Sequence, residues 1–438
     1  MPVKEPEQKD LFNKDLSDIE GSEFEKENGR VVVRGDLPPE LDIPWDSELL
    51  LIGEDQSYAT HGVHKYPAKF IPEFPRWALK KYSEPGDLVI DPFSGSGTTA
   101  VEAVMNNRIG LSVDIDPLAL LLTNIKTTAI DPKKLKKSHQ KLVERIVEGD
   151  KEPESIPEFK NRDHWFEPEI TEKLSFIKEQ IEKEKDENIQ KLFQVSMSSI
   201  VRSVSNADPG SHKPCVRKGM NRNLPDPIDK FIDKLSKNVE GAIQFYEDTS
   251  GSPDAQIIEK DARNVELPDD EVDLAITSPP YINALDYART HKLEYYWLGF
   301  FKDSLVDLKK KFVGTEKVYA DQYRDLHEFG IPELDEIIAS IYEEDNKRAF
   351  IVYKFFEDMK KNLKEVKRIL KPGGKYVMFV GNNQIKDHLV ENWKFLMTIA
   401  RELGWSVQNR WRSGVINHYI KFDREEKIDT DHVIVFEK

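Results

Sequence analysis

An α/β fold built on a mainly parallel sheet is what this sequence predicts, and three observations predict it. Apolar runs of strand length alternate with helical stretches, the turns between them carry Gly and Pro, and 438 residues exceed what one average domain needs, leaving room for an insertion. Residues 87–91 read as the first buried strand, followed by a glycine-rich turn and a helix over 98–106. Residues 110–114 read as the second strand, and 117–126 as a helix with proline in its first turn. The sheet resumes with strands at 256–259, 273–277, 374–380 and 432–436, the turn at 370–374 feeding the third of these.

The spacing of these signals divides the chain. Residues 1–50 are charged and poor in apolar positions, and read as a polar, mobile extension to which no chemistry is assigned. Residues 51–131 form the first half of the main domain, 132–254 a Lys-rich helical insertion, and 255–438 the second half, itself interrupted by a polar helical insertion at about 302–348. No internal repeat is present.

Composition removes several classes of function. No apolar run approaches the roughly 20 residues of a membrane span, and the acidic start does not read as a secretory signal, so a cytoplasmic location without a membrane partner is expected. The single cysteine, Cys215, forms neither an internal disulfide nor a thiolate cluster, and the histidines lack metal-ligand spacing, so no metal is expected.

Two loops carry the chemistry. In residues 91–99, DPFSGSGTT, the glycines let the backbone turn sharply at the end of the first strand and approach a ligand that a Cβ would block. No Gly-Lys-Ser/Thr follows, so a phosphate loop lacks its lysine; a dinucleotide fold shares the turn and an acid about 20 residues on. Asp114, ending the second strand, is placed to accept from ribose hydroxyls or to cap a helix. Asp261, after the third, suits an adenine amino group or, equally, a helix N-terminus. The second loop, Ser278, Pro279, Pro280 and Tyr281, follows the fourth strand and faces the same rim of the sheet. Two prolines stiffen it and remove donors, leaving the Pro279 carbonyl and the Ser278 hydroxyl as acceptors for the two N–H groups of an exocyclic amine. Tyr281 offers a flat face for a base rotated out of a duplex.

With these motifs in place, the chain resembles the class I S-adenosylmethionine-dependent methyltransferases, and within them the amino-methylating DNA enzymes. DPFSGSGTT resembles their cofactor motif, and residues 64–70, HKYPAKF, resemble their first cofactor segment. The resemblance implies a Rossmann-like, seven-stranded, mainly parallel sheet with a helical insertion. It implies S-adenosylmethionine as cofactor, held by Lys69, Phe70, Asp91, Phe93, Gly95, Gly97 and Thr98, with Asp114 at the ribose and Asp261 at the adenine. It also implies methyl transfer to a base amino group of duplex DNA at Ser278–Tyr281, in a restriction-modification setting that can include a cognate endonuclease. Serine at the first loop position is most similar to the cytosine-N4 group; adenine-N6 enzymes and tRNA guanine-N2 enzymes more often carry Asp. Pro214-Cys215 resembles the thiolate dipeptide of the cytosine-C5 enzymes but sits in the helical insertion, away from the loop after the fourth strand.

Cations gather locally despite a net charge of −16. Arg202, Lys213, Arg217, Lys218 and Arg222, with Lys230, Lys234 and Lys237, form a basic stretch suited to DNA phosphates or to a solvated helix face. The aromatic groups of residues 286–297 are read as base-pocket walls or as helix core.

Overall fold

Twelve strands are present among the described residues: β1 (Ser22–Glu27), β2 (Arg30–Gly35), β3 (Glu48–Ile52), β4 (Leu88–Asp91), β5 (Ile109–Asp114), β6 (Ala255–Glu259), β7 (Val272–Thr277), β8 (Leu370–Gly381), β9 (Asn383–Ile385), β10 (His388–Val390), β11 (Ser406–Gly414) and β12 (Thr430–Glu437). The structure, a computed structural model, describes residues 22–27, 30–53, 55–67, 69, 71–211, 213–216, 223–282, 286–414 and 430–438. Ten strands form one sheet in the order β1-β2-β3-β11-β12-β8-β7-β4-β5-β6, and β9 pairs with β10 apart from it.

Seven of the ten, from β6 to β11, form a seven-stranded sheet of the kind the resemblance implies; six of them lie where the sequence places strands, and β11 is the addition. β4, β5, β6, β7 and β8 run parallel to one another, and β12 runs against both β8 and β11. β4 and β7 are largely buried runs rich in Val, Ile, Leu and Ala, as central parallel strands must be, each with one partly exposed position near its start, Leu88 and Asp273.

The remaining three differ from the expected mobile extension. β3 runs parallel to the end of β11 and β2 parallel to β3, so residues 30–53 extend the sheet edge. The physical reason is two apolar triplets, Val31-Val32-Val33 and Leu49-Leu50-Leu51, which the surrounding charge hides in a composition reading; five of the six side chains are buried.

Three helices announce themselves by Asp-Pro. Asp116, Asp131 and Asp226 cap Pro117–Lys126, Pro132–Glu148 and Pro227–Asp248, each accepting a backbone N–H while the proline fills a position whose N–H would go unpaired. The helices at 132–248 build their own apolar core around Leu142, Phe193 and Phe231. That core also takes Tyr295 and Trp297 from the helix Lys292–Leu298, and Leu305 and Leu308, so the expected second insertion is divided. Its later part, the helix Pro332–Glu344, packs Leu334, Ile338 and Ile341 onto one face of the sheet with Asn346–Ile369. The helix Glu73–Tyr82 covers the opposite face with Phe74 and Trp77.

Candidate active site

β4 ends at Asp91, only 1% exposed, whose carboxylate accepts from Phe93 N (3.0 Å), Thr99 Oγ1 (2.7 Å) and Thr277 Oγ1 (2.6 Å). Burial raises this carboxyl to about 6 against the pull of those bonds. Thr277 is the last residue of β7 and immediately precedes Ser278, so one buried acid joins the glycine turn to the proline loop.

Gly95 (φ 49°) and Gly97 (φ 78°) adopt the left-handed conformation that favours glycine. A Cβ on Gly97 would lie 2.7 Å from Thr123 Oγ1, so the helix Pro117–Lys126 packs directly behind the turn. That helix also draws the turn's carbonyls backward: Thr123 Oγ1 donates to Gly95 O (3.2 Å) and the buried Lys126 Nζ to Ser96 O (2.8 Å).

The two acids differ. Asp114 accepts from the backbone N–H groups of Gly95 (2.9 Å), Ile115 (2.8 Å) and Asp116 (2.9 Å). A carboxylate has about four acceptor positions, so its orientation is fixed and room for about one further donor remains. Asp261 is held by Arg263, accepting from its Nε (2.8 Å) and Nη2 (2.5 Å) and from its backbone N–H (2.9 Å). Burial acts to raise the Asp261 carboxyl, but the Arg263 bonds together hold it below its usual value. No helix begins there; Asp261 closes a tight turn onto Asn264, which removes the helix-cap alternative.

Lys69, Phe93, Gly95, Thr98, Asp114, Asp261, Ser278 and Pro280 line one open cleft. Asp91 and Gly97 stand behind its wall, and Pro279 and Tyr281 are not among the residues that line it. Phe70 lies outside the described residues. Tyr66, Ser94, Ser96, Tyr287 and Phe312 also line the cleft and were not singled out from the sequence as cofactor contacts. Tyr66 stacks on Tyr287 (5.8 Å between ring centres, 20° between planes) and on His291 (4.9 Å, 18°), a meeting of segments more than two hundred residues apart that only the fold reveals.

The segment carrying Tyr66 and Lys69 is held from two sides. Glu102, 1% exposed on the helix Thr98–Met105, accepts from His61 Nε2 (2.8 Å) and Arg76 Nε (2.8 Å), and from the Tyr58 hydroxyl. From the helix Pro227–Asp248, Lys234 Nζ donates to Gly62 O (2.7 Å), Asn238 Nδ2 to Val63 O (3.2 Å), and Gln244 Oε1 accepts from Ala59 N (2.9 Å). Lys69 itself donates to the carbonyls of Gln56 and His61 (3.2 Å each), and burial lowers its pKa.

The basic stretch is therefore divided. Lys234 faces inward, its ammonium lowered to about 8 by burial. Arg202 donates to the Ser211 carbonyl, and Lys213, half-buried, continues the same loop. Arg217, Lys218 and Arg222 lie outside the described residues. Among the described residues no His, Cys, Asp or Glu group is arranged to hold a metal ion, and no helix is long and apolar enough to cross a membrane.

The cleft fits a nucleoside-bearing cofactor. Ser94 Oγ and Ser96 Oγ are buried in its wall without hydrogen-bond partners, a state that calls for a ligand or water, and Asp114 keeps acceptor capacity beside two aromatic faces. A cleft at the carboxyl ends of β4, β5 and β7 on this seven-strand core defines a class I S-adenosylmethionine-dependent methyltransferase.

Comparison with known proteins narrows the class. Residues 4–124 match the N6/N4 methyltransferase family, described as DNA methylase. The Type II methyltransferase M.MvaI of Kocuria varians is 28% identical over 75% of this chain and 78% of its own. M.MjaII of Methanocaldococcus jannaschii is 24% identical over 64% and 70%. A methyltransferase structure from Methanosarcina mazei covers 86% of this chain and 98% of its own at 9% identity and a TM-score of 0.31, so it is the strand order that carries the fold. By these matches the chain is similar to the DNA amino-methyltransferases, and its fold is that of an S-adenosylmethionine-dependent methyltransferase.

Proposed function

We propose that the protein methylates a base amino group, that the base is cytosine and the nitrogen N4, in duplex DNA, and that the enzyme modifies sites within a restriction-modification system alongside a cognate endonuclease. The observation that carries this reading is that Ser278 and Pro280 open onto the same cleft as Phe93–Ser96 and Asp114, with serine at the loop position where the cytosine-N4 group carries it. The Type II methyltransferases among the relatives support the restriction-modification setting.

Bound S-adenosylmethionine supplies an electrophilic methyl group on a sulfonium. Phe93, Gly95, Ser96, Thr98 and Asp114 would hold it, with Tyr66 and Tyr287 as flat walls and Lys69 and Asp261 at the margins. Pro279 O and Ser278 Oγ accept the two N–H groups of the cytosine amine, which holds the nitrogen with its lone pair turned out of the ring system. Orientation rather than a strong base creates the nucleophile. DNA is read as lying against residues 202–222, where Arg202, Lys213, Arg217, Lys218 and Arg222 supply cations. Support comes from the described start of that segment: Asn206 N donates to Trp165 O (2.8 Å), and Lys292, five residues beyond Tyr287, sits 3.7 Å over the Trp165 ring.

The test is nucleoside analysis of duplex DNA and tRNA incubated with the protein and S-adenosylmethionine. N4-methylcytosine in DNA is expected; N6-methyladenine, or methylation of tRNA alone, overturns the assignment. Ser278→Ala is expected to lower single-turnover methylation by roughly a hundredfold while keeping cofactor binding and staying within about 1 kcal/mol of wild-type stability.

A further inference from the structure

Methylation leaves the amino nitrogen with one proton too many, and the Ser-Pro-Pro-Tyr loop contains no base of its own. One lies a strand away. The Tyr281 hydroxyl is 3.5 Å from Asp431 Oδ1, and Ser278 stands three residues before Tyr281 in the same loop, where its hydroxyl acts to lower the phenol against the effect of burial. Asp431, the second residue of β12, lies directly opposite Gly381 on β8. A Cβ at Gly381 would come within 2.5 Å of Tyr281 Cε1 and 2.6 Å of Asp431 Oδ1, so the phenol and the carboxylate converge over the one residue type that leaves them room.

We propose that Asp431 receives the proton released by the methylated amine, relayed through the hydroxyls of Ser278 and Tyr281. This rests on the reading of Ser278 as an amine acceptor. As the nitrogen–carbon bond forms, the donor's carbon–sulfur bond breaks and its sulfur takes the bonding pair, so the positive charge passes to nitrogen. The nitrogen then loses a proton to Ser278 Oγ, the serine proton passes to the Tyr281 oxygen, and the tyrosine proton ends on Asp431 Oδ1. No other reactant is required.

The surroundings of Asp431 suit the task. Across the sheet it faces Ser413 of β11 and Gly381 of β8, neither of which titrates, and Tyr281 reaches it from the loop. Its neighbour His432 is stacked on Trp393 (5.0 Å), a ring also covered by Arg410 (3.9 Å). No ion pair joins a cation to Asp431 among the described residues. Burial therefore raises its carboxyl to about 7, with the Tyr281 bond pulling the other way. The acceptor is the ionised form, so a step limited by this relay accelerates as pH rises through about 7 and levels off above.

The experiment is single-turnover DNA methylation from pH 5.5 to 9 for the wild type, Asp431→Asn and Tyr281→Phe, with cofactor affinity and unfolding midpoint measured on each. Difference infrared spectroscopy of the cofactor-free protein follows the carboxyl groups over the same range. The wild-type rate is expected to rise about tenfold per pH unit to a plateau near 7 to 8. Both variants should bind cofactor normally, lose roughly a hundredfold on the plateau and show a flattened profile, and Asp431→Asn should lose a carboxyl band titrating near neutrality. A wild type that methylates while Asp431→Asn keeps the same pH rise, or loses no such band, overturns the relay alone. A wild type that binds cofactor but methylates no DNA overturns the functional reading and the relay with it.

Discussion

The glycine turn after β4 and the Ser-Pro-Pro-Tyr loop after β7 face one cleft but are built in opposite ways. The turn is tied from behind: Asp91, Asp114, Thr123 and Lys126 together engage Phe93, Gly95 and Ser96, and Glu102 anchors the neighbouring Tyr66 segment. The loop is fastened at its far end, where Asn383 exchanges hydrogen bonds with Ile282 N (3.2 Å) and O (3.1 Å) and Tyr281 reaches Asp431. Its two prolines supply stiffness without further bonds. Binding here depends on a preorganised wall whose disturbance costs stability, whereas chemistry depends on a few placed oxygens whose loss costs rate.

That contrast is broken most severely at Glu102. Glu102→Ala strips a buried carboxylate from Arg76 and His61 and should cost on the order of 3–5 kcal/mol in denaturant unfolding, with cofactor affinity falling because the segment bearing Tyr66 and Lys69 is released. A variant as stable as wild type would show that the anchor does not matter. Next in size is Gly97→Ala, which forces an L residue to φ 78° against Thr123. It should cost roughly 2–3 kcal/mol and weaken cofactor binding in calorimetric titration by at least about tenfold.

The smallest effect sharpens the comparison through pH. Asp116 caps the helix behind the turn and accepts from Tyr295 Oη (2.7 Å), which follows the proline loop, so it ties the two regions together. Burial, then the nearby Asp114 charge, raises its carboxyl to about 7. A raised folded pKa means that its contribution is fully present below the unfolded value near 4 and is lost as pH rises through about 7. Asp116→Asn, neutral throughout, should gain stability relative to wild type between pH 4 and 8, read as a difference in unfolding midpoint; a constant difference across that range would contradict the assignment.

Much of this was legible in the sequence, and the reasons are physical. β4, β5, β7 and β12 are apolar runs bounded by turn residues, and parallel or central strands must look that way. β11 was not legible because SVQNRWRSG mixes exposed polar and buried positions, and only its strand neighbours give it a register. β2 and β3 were read as part of a mobile extension because composition averages two short apolar triplets into their charged surroundings. At the site, the local motifs placed Phe93, Gly95, Thr98, Asp114 and Ser278 at the cleft, since strand-end loops of one sheet share a rim. Tyr66 on Tyr287, Arg263 on Asp261 and Asp431 on Tyr281 are tertiary meetings. Among these, only the short Asp261–Arg263 spacing offered a local signal. Lys234 counted as a surface cation until the fold turned its ammonium onto Gly62 O.

The three-strand edge also sets an order of events during synthesis. Arg412 and Ser413 are the residues against which Glu48 and Leu49 align, and Asp46 N donates to Arg410 O. A ribosome adding roughly 5–20 residues per second leaves the early strands waiting tens of seconds for the late one. Until then the valine and leucine triplets are an unpaired, sticky ribbon of the kind that chaperones bind, and the nascent chain is most open to aggregation at its oldest end.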